Sequence, residues 1–290
     1  MRKSARSSSV SDRPRQVATD PKIFGILNIT EDSFSDGGRY PDPAAALAAA
    51  RSLAASGADV VDLGAAASNV DAKPVAPDEE IRRLEPVIAA LQTDGIAVCV
   101  DSFAPATQRF ALRAGVDFLN DIDGFSEPLL YPELAAARCR LVVMHAVQGR
   151  GRAQRVAVPP EAIWPRIEIF FTQRIAALTA AGIDRERLVL DPGMGFFLSS
   201  DAGASFAVLA RLDWLKRQFG LPVLVSVSRK SFLAAITAGR APENRGAATL
   251  AAELYAAAKG ADFIRTHDPS ALREGLAVVA ALSDAEAAIE

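Results

Sequence analysis

Cysteine is nearly missing from this 290-residue chain: Cys99 and Cys139 are the only two. Both sit inside apolar runs, IAVCVD and RCRLVVMH. A disulfide scaffold is thereby excluded, and reduced core thiols in a cytoplasmic protein are expected. No apolar stretch approaches the roughly 18 residues of a membrane-spanning helix. Strong charge of either sign is also lacking, with a formal net charge of −3. Residues 1–20 carry +3 of it, so the rest carries −6 and no basic surface for nucleic acid is expected. A membrane partner is not expected either. Histidine occurs twice, at 145 and 267.

What is present is an ordinary globular composition, 50% hydrophobic and 23% charged, which excludes disorder over most of the length. The exception is residues 1–21, beginning MRKSARSSSVSDRPRQVATD, rich in Ser and Arg. They read as a disordered tail with no signal-peptide apolar stretch, and are set apart from a single domain spanning 22–290.

From residue 22 onward one rhythm repeats eight times: an apolar run, a polar residue, a loop, then helical spacing. The runs are IFGILN (23–28), DVVDLG (59–64), IAVCVD (96–101), DFLND (117–121), RLVVMH (140–145), RLVLD (187–191), PVLVSVS (222–228) and DFIRTH (262–267). Continuous apolar runs suit strands of a parallel sheet covered on both faces. Between them lie amphipathic stripes, such as Ile163, Ile167, Phe170, Phe171, Ile175 and Leu178, then Phe206, Leu209, Leu212, Leu215 and Phe219. Asp42-Pro43 and Asp268-Pro269 mark helix starts, and Gly57, Gly95, Gly115, Gly182, Gly220 and Gly260 fall where helices should stop. Eight βα units predict an α/β fold, the (β/α)₈ TIM barrel. A doubly wound sheet is the alternative, but Asn28-Ile29-Thr30-Glu31-Asp32 after the first run lacks its glycine-rich fingerprint.

The strand ends carry the chemistry. In order they are Asn28, Asp62, Asp101, Asn120 with Asp121, His145, Asp191, then Ser226 and Ser228 leading to Lys230, then Arg265 with His267. Any one could cap a turn, but eight such ends predict an active mouth. Asp101, Asn120 and Asp191 offer acceptors suited to a heterocycle with N–H and NH₂ groups along one edge. On the other side, Ser228-Arg229-Lys230-Ser231, Arg265 and His267 suit a phosphate. The long segment holding Asn28, Thr30, Asp32, Ser33, Asp36, Gly37 and Gly38 is expected to close over a ligand or help hold a hard cation. A similar segment after the second run holds Ser68, Asn69, Asp71 and Lys73.

FGILNITEDSFSDGG, CVDSFAPATQRFALRAGVDFLNDIDGF, LVVMH, LDPGMGF, VLVSVSRKSF and ADFIRTHD together resemble dihydropteroate synthases over residues 22–282. SNVDAKPV, NDIDGF, LYPELA and LDPGMGFFLSS are most similar to the Sul-type, sulfonamide-insensitive members. The resemblance implies a barrel enzyme that joins 4-aminobenzoate to 6-hydroxymethyl-7,8-dihydropterin diphosphate, releasing pyrophosphate. It implies that Asp101, Asn120, Asp191 and Lys230 hold the pterin. Asn28, Arg265 and His267 would handle the diphosphate and its Mg²⁺, with Asn28 as a metal ligand and Thr30 as a further substrate contact. Ser231 would meet the aminobenzoate carboxylate beside Phe196 and Lys230, with Ser68 supplying a hydroxyl from the second loop. Asp101, Asp191, Lys230 and Arg265 would carry catalysis through an SN1-like course, and a homodimer is implied.

The chain departs from the family in two places. The usual Ser-Thr-Arg-Pro core after the second strand reads Ala66-Ala67-Ser68-Asn69-Val70, and Gly-Phe-Gly-Lys reads Gly195-Phe196-Phe197-Leu198. The extra aromatic is expected either to pack locally or to reshape the aminobenzoate pocket against sulfonamides. Two rival functions are a Lys230 Schiff-base aldolase, which leaves the acceptor ring without a role, and a pterin-binding module of corrinoid methyltransferase type, which does not need the cationic set.

Overall fold

A computed structural model describes residues 20–30, 42–68, 70 and 73–289. All eight apolar runs form strands: β1 Lys22–Asn28, β2 Val60–Gly64, β3 Ala97–Asp101, β4 Phe118–Asp121, β5 Arg140–Met144, β6 Leu188–Asp191, β7 Leu224–Val225 and β8 Phe263–Thr266. Every pairing is parallel, in the order β6-β5-β4-β3-β2-β1-β8-β7. A parallel bridge between Leu190 and Val223, with Leu190 N–H donating to Pro222 O at 2.9 Å, joins the two edges. The sheet is therefore a closed barrel, as the eightfold rhythm predicts.

β7 is shorter than the expected 222–228. Pro222 has no N–H, and Val223 N–H is taken by the Asp262 carboxylate at 2.9 Å instead of a ladder partner. The same device recurs at the foot of other strands. Asp59 accepts from Ile23 N–H at 2.7 Å and Asp117 from Val98 N–H at 2.8 Å. An aspartate opening β2, β4 or β8 thus holds the preceding strand.

The helices are α1 Pro43–Ala55, α2 Pro77–Thr93, α3 Pro105–Ala114, α4 Tyr131–Ala136, α5 Pro160–Ala180, α6 Ala202–Ala210, α7 Leu212–Phe219, α8 Ser231–Ala234, α9 Gly246–Ala258 and α10 Pro269–Ile289. Asp42 caps α1 by accepting from Ala44 N–H, and Asp268 caps α10 through Ala271 N–H. The six glycines expected as stops all have positive φ, from 60° to 99°. One expectation fails: the stripe from Phe206 to Phe219 is two helices. Arg211, at φ −122° and ψ 24°, breaks it and lays its guanidinium against Trp164 and Trp214.

Of the expected tail, residues 1–19 lie outside the described residues. Pro21 is buried and Asp20 faces Arg273 of α10 at 3.5 Å, so the barrel takes up the chain just before β1.

Most of the core lies between barrel and helices. A second layer plugs the barrel foot: Phe24, Val60, Cys99, Phe118, Val142, Val189, Leu224 and Phe263. Phe24, Phe118 and Phe263 meet edge to face with centroids 4.9 to 5.8 Å apart. Side chains on a strand repeat with period two, so the residues two further on form the next inward tier. That tier is Ile26, Asp62, Asp101, Asn120, Met144, Asp191, Ser226 and Arg265. The barrel interior changes from apolar to ionisable within one tier.

Candidate active site

Above the plug a cavity of about 940 Å³ opens at the C-terminal ends of the strands. Of the residues singled out in the sequence, Asn28, Thr30, Ser68, Asp101, Asp191, Phe196, Lys230, Ser231, Arg265 and His267 all line it. Asn120 lies just behind the wall, fully buried, and its Nδ2 donates to Asp101 Oδ1 at 2.6 Å. Asp32, Ser33, Asp36, Gly37, Gly38, Asn69 and Asp71 fall outside the described residues.

The floor is crowded with charge. Arg265 is 5% exposed and Asp62 3%, with Nε to Oδ2 at 3.0 Å. Asp101 and Asp191 also act on the guanidinium. Burial opposes its charge, but these carboxylates raise its pKa and hold it protonated. The separation of acceptors on one flank from cations on the other therefore needs correcting: Arg265 is set among the acceptors. Burial pushes the Asp62 carboxyl up to about 6, with Arg265 pulling the other way. Burial likewise raises Asp191, against the pull of Arg265, of Gly193 N–H at 2.8 Å and of Lys230. Lys230 is lowered by burial, and Asp191 offsets part of that. Its ammonium lies 5.1 Å from the centre of the Phe197 ring.

Five polar atoms on this floor have no hydrogen-bond partner among the described residues: Asp62 Oδ1, Asn120 Oδ1, Asp191 Oδ2, and Nε and Nη2 of Arg265. Each such atom costs about 1–3 kcal/mol if nothing satisfies it, so their convergence marks a site built for a ligand.

His267 is uncharged near neutral pH in the free protein. Burial, with Arg229 and Lys230 nearby, brings its pKa down to about 4. Ser228 Oγ engages its Nδ1 at 2.9 Å, leaving Nε2 as the ring atom for a ligand. His145 turns out of the ring of strand ends. Its Nδ1–H donates to Pro192 O at 3.1 Å and its ring stands edge-on to Phe170. Asp121 also serves structure, accepting from Asp123 and Phe125 N–H groups at 2.8 Å.

Two residues with no role assigned from the sequence belong here. Asp62, already one of the strand-end residues read from the sequence, stands two after Val60, in the same phase as Asp101 after Cys99, and lines the cavity. Arg83 of α2 is buried at the cavity, held by Glu79 at 2.6 Å, and donates to Ala65 O at 3.1 Å. Inside an amphipathic helix it carried no signal.

The model of the pterin binding enzyme family matches residues 24–267. The chain is 62% identical over 262 residues to dihydropteroate synthase type-2 of Escherichia coli, covering 90% of this chain and 96% of that one. The chain belongs to the dihydropteroate synthase family. Among solved structures, Xanthomonas albilineans dihydropteroate synthase with 4-aminobenzoic acid superposes with a TM-score of 0.83 at 36% identity, covering 92% and 94% of the two chains. The same organism's enzyme in complex with 7,8-dihydropteroate gives 0.79 at 34% identity, covering 93% and 97%. The dihydropteroate synthase frame thus extends over nearly all the described barrel. Among these residues no helix is long and apolar enough to cross a membrane.

Proposed function

We propose that this enzyme condenses 4-aminobenzoate with 6-hydroxymethyl-7,8-dihydropterin diphosphate, giving 7,8-dihydropteroate and pyrophosphate. The observation that carries this reading is the set of unpaired buried polar atoms on Asp62, Asn120, Asp191 and Arg265. Acceptors and a cation at one floor match the N–H, NH₂ and carbonyl edge of a pterin. Asp101, oriented by Asn120, and Asp191 stabilise positive charge on the pterin as its methylene C–O bond breaks. Lys230 holds the ring from the Phe197 side. Arg265, with Nε2 of His267, receives the departing pyrophosphate, and the aminobenzoate amine attacks the exposed methylene. Ser231 orients the aminobenzoate carboxylate, Phe196 walls its ring, and Ser68 and Thr30 contact the outer part of the substrates.

Mg²⁺ fits the donors at this mouth. Asn28 offers an amide oxygen on the cavity lining. Among the described residues no cluster of three or more carboxylate, histidine or cysteine side chains is able to hold an ion. One protein oxygen plus substrate phosphates is the usual arrangement for this metal. When bound it neutralises charge on the diphosphate.

We also read the enzyme as a sulfonamide-insensitive, cytoplasmic homodimer. Phe197 is buried with Ile122, Met144, Ala146 and Ala153, while Phe196 faces the cavity under the Arg155 guanidinium. Phe197, the ring the family pattern lacks, packs there and also lines the cavity, where it narrows the space for a sulfonamide's extra group while sparing aminobenzoate. Both cysteines are buried and unpaired, as suits a reducing compartment.

Pyrophosphate release measured with both substrates, with and without a sulfonamide, tests the whole reading. Release equal to dihydropteroate formed, and persisting with drug, is expected; no release with both substrates present overturns it. Deleting Phe197 is expected to restore inhibition, and unchanged inhibition removes the aromatic-wall idea. Scrambling of label within the diphosphate, without net turnover, is expected for an SN1-like course.

A further inference from the structure

Arg229, the residue before Lys230, has φ +59° without being a glycine. A left-handed backbone at such a residue persists only where its surroundings hold it. Both polar groups of this residue are held, and by one helix. Its N–H donates to Thr249 Oγ1 at 3.0 Å, and its carbonyl accepts from Arg245 Nη1 at 2.7 Å. Arg245 is itself fixed by donating through Nε to Arg240 O at 2.7 Å. Four residues beyond Thr249, the buried Glu253 hydrogen-bonds the Thr266 hydroxyl at the end of β8. Thr266 Oγ1 in turn accepts from Asp268 N–H at 3.2 Å, so His267 is pinned between them.

Residues 245, 249 and 253 repeat every four positions and so share one face at the start of α9. That face points at the two strand ends that bear Lys230 and Ser231 on one side and Arg265 and His267 on the other. Thr249 and Glu253 do not line the cavity, so neither touches substrate. Their hydrogen bonds end on the backbone and side chain next to the groups that do.

We propose that the Arg245–Thr249–Glu253 face of α9 is a positioning ridge that holds the left-handed turn at Arg229, and with it Lys230 and Ser231, in the conformation that binds the pterin diphosphate. Thr249 is its central positioning residue, because it satisfies the one N–H that a relaxed turn would redirect. The inference rests on Lys230 holding the pterin.

The test compares T249V and T249S by steady-state kinetics and by titration with 7,8-dihydropteroate. T249V is expected to raise KM for the pterin diphosphate, and weaken dihydropteroate binding, roughly tenfold, the effect of orphaning one buried N–H. T249S keeps the oxygen and is expected to recover the parent KM. A purely structural role for Thr249 would lower the folded fraction and leave KM unmoved. T249V with parent KM, or T249S no better than T249V, overturns the proposal. Should T249V fail to fold, exchange of the Arg229 amide in the parent protein decides. Strong protection supports the ridge, and the rate of a free loop amide overturns it. K230Q reads the premise separately: if K230Q weakens binding while T249V does not, only the ridge falls.

Discussion

Asp62 and Arg265 form an ion pair that nearly no solvent reaches, and the desolvation of two charges is repaid only while both are present. Substituting Asp62→Asn leaves Arg265 buried against a neutral amide. A loss of about 3–5 kcal/mol in unfolding free energy is expected, read by urea denaturation at pH 7. A loss under about 1 kcal/mol would mean that Asp101 and Asp191 already balance the guanidinium. Glu253 sets a different dependence. Burial pushes its carboxyl up to about 8 from an ordinary 4.5. The folded chain thus keeps a proton that the unfolded chain has released, so this group makes stability fall as pH rises from about 4.5 to about 8. His145 and His267, both near 4, act in the opposite sense, their stabilisation being lost as pH falls from 6.5 to about 4. Above pH 7 the histidines are silent and Glu253 dominates. The variant E253Q is expected to remove most of the decline between pH 7 and 8, the rest coming from Asp121, which burial pushes up to about 7, and to be more stable than the parent at pH 8, by thermal denaturation. A parent whose stability is flat across that interval contradicts it. Asp101, Asp191, Lys230 and Arg265 were legible as residue types at strand ends. The charge states were not, because burial and neighbouring charges across the barrel set them.

Gly193 lies in the turn between Asp191 and Phe196, at φ +71°, and a Cβ there would run into the carbonyl oxygen of His145. Gly193 N–H also holds the Asp191 carboxylate. The variant G193A is expected to lose on the order of 2–3 kcal/mol of stability and to displace Asp191, so that kcat/KM falls with it. Thermal melting and steady-state kinetics on the same preparation check both, and a variant with parent values in both would show that the turn relaxes freely. The elements were readable where physics is local. Continuous apolar runs gave the strands, aspartate-proline pairs gave helix starts, and glycines gave helix ends. Failures came where tertiary contacts decide. The stripe from Phe206 to Phe219 has no gap in period, and what splits it is Arg211 seated against Trp164, a residue 47 positions earlier in the chain. β7 is shortened by Asp262, which lies at the foot of a different strand.

The closed barrel also explains why a site assembled from eight separate segments could be read at all. Each strand places one residue in the plug and the residue two further on in the mouth, so strand phase alone sorts floor from site. Arg83, reaching in from α2, lies outside that rule and needed coordinates. The outer surface follows another logic. On α10, Val278 and Leu282 are 59% and 61% exposed, and Ile289 continues the same stripe at 86%. The steps of four and seven put all three on one side of the helix, with Tyr255 exposed on the adjoining α9. A twofold contact would pair this stripe with its own copy, since such an interface uses the same patch on both partners. Charge there meets like charge across the axis. For the proposed homodimer, the double variant V278E/L282E is therefore expected to sediment as a monomer at concentrations where the parent sediments as a dimer, while its helical circular dichroism is unchanged. Because α9 carries Arg245, Thr249 and Glu253 on its inner side, loss of the dimer is also expected to raise KM for the pterin diphosphate by a few-fold. A double variant that sediments like the parent would move the interface to another face of the barrel.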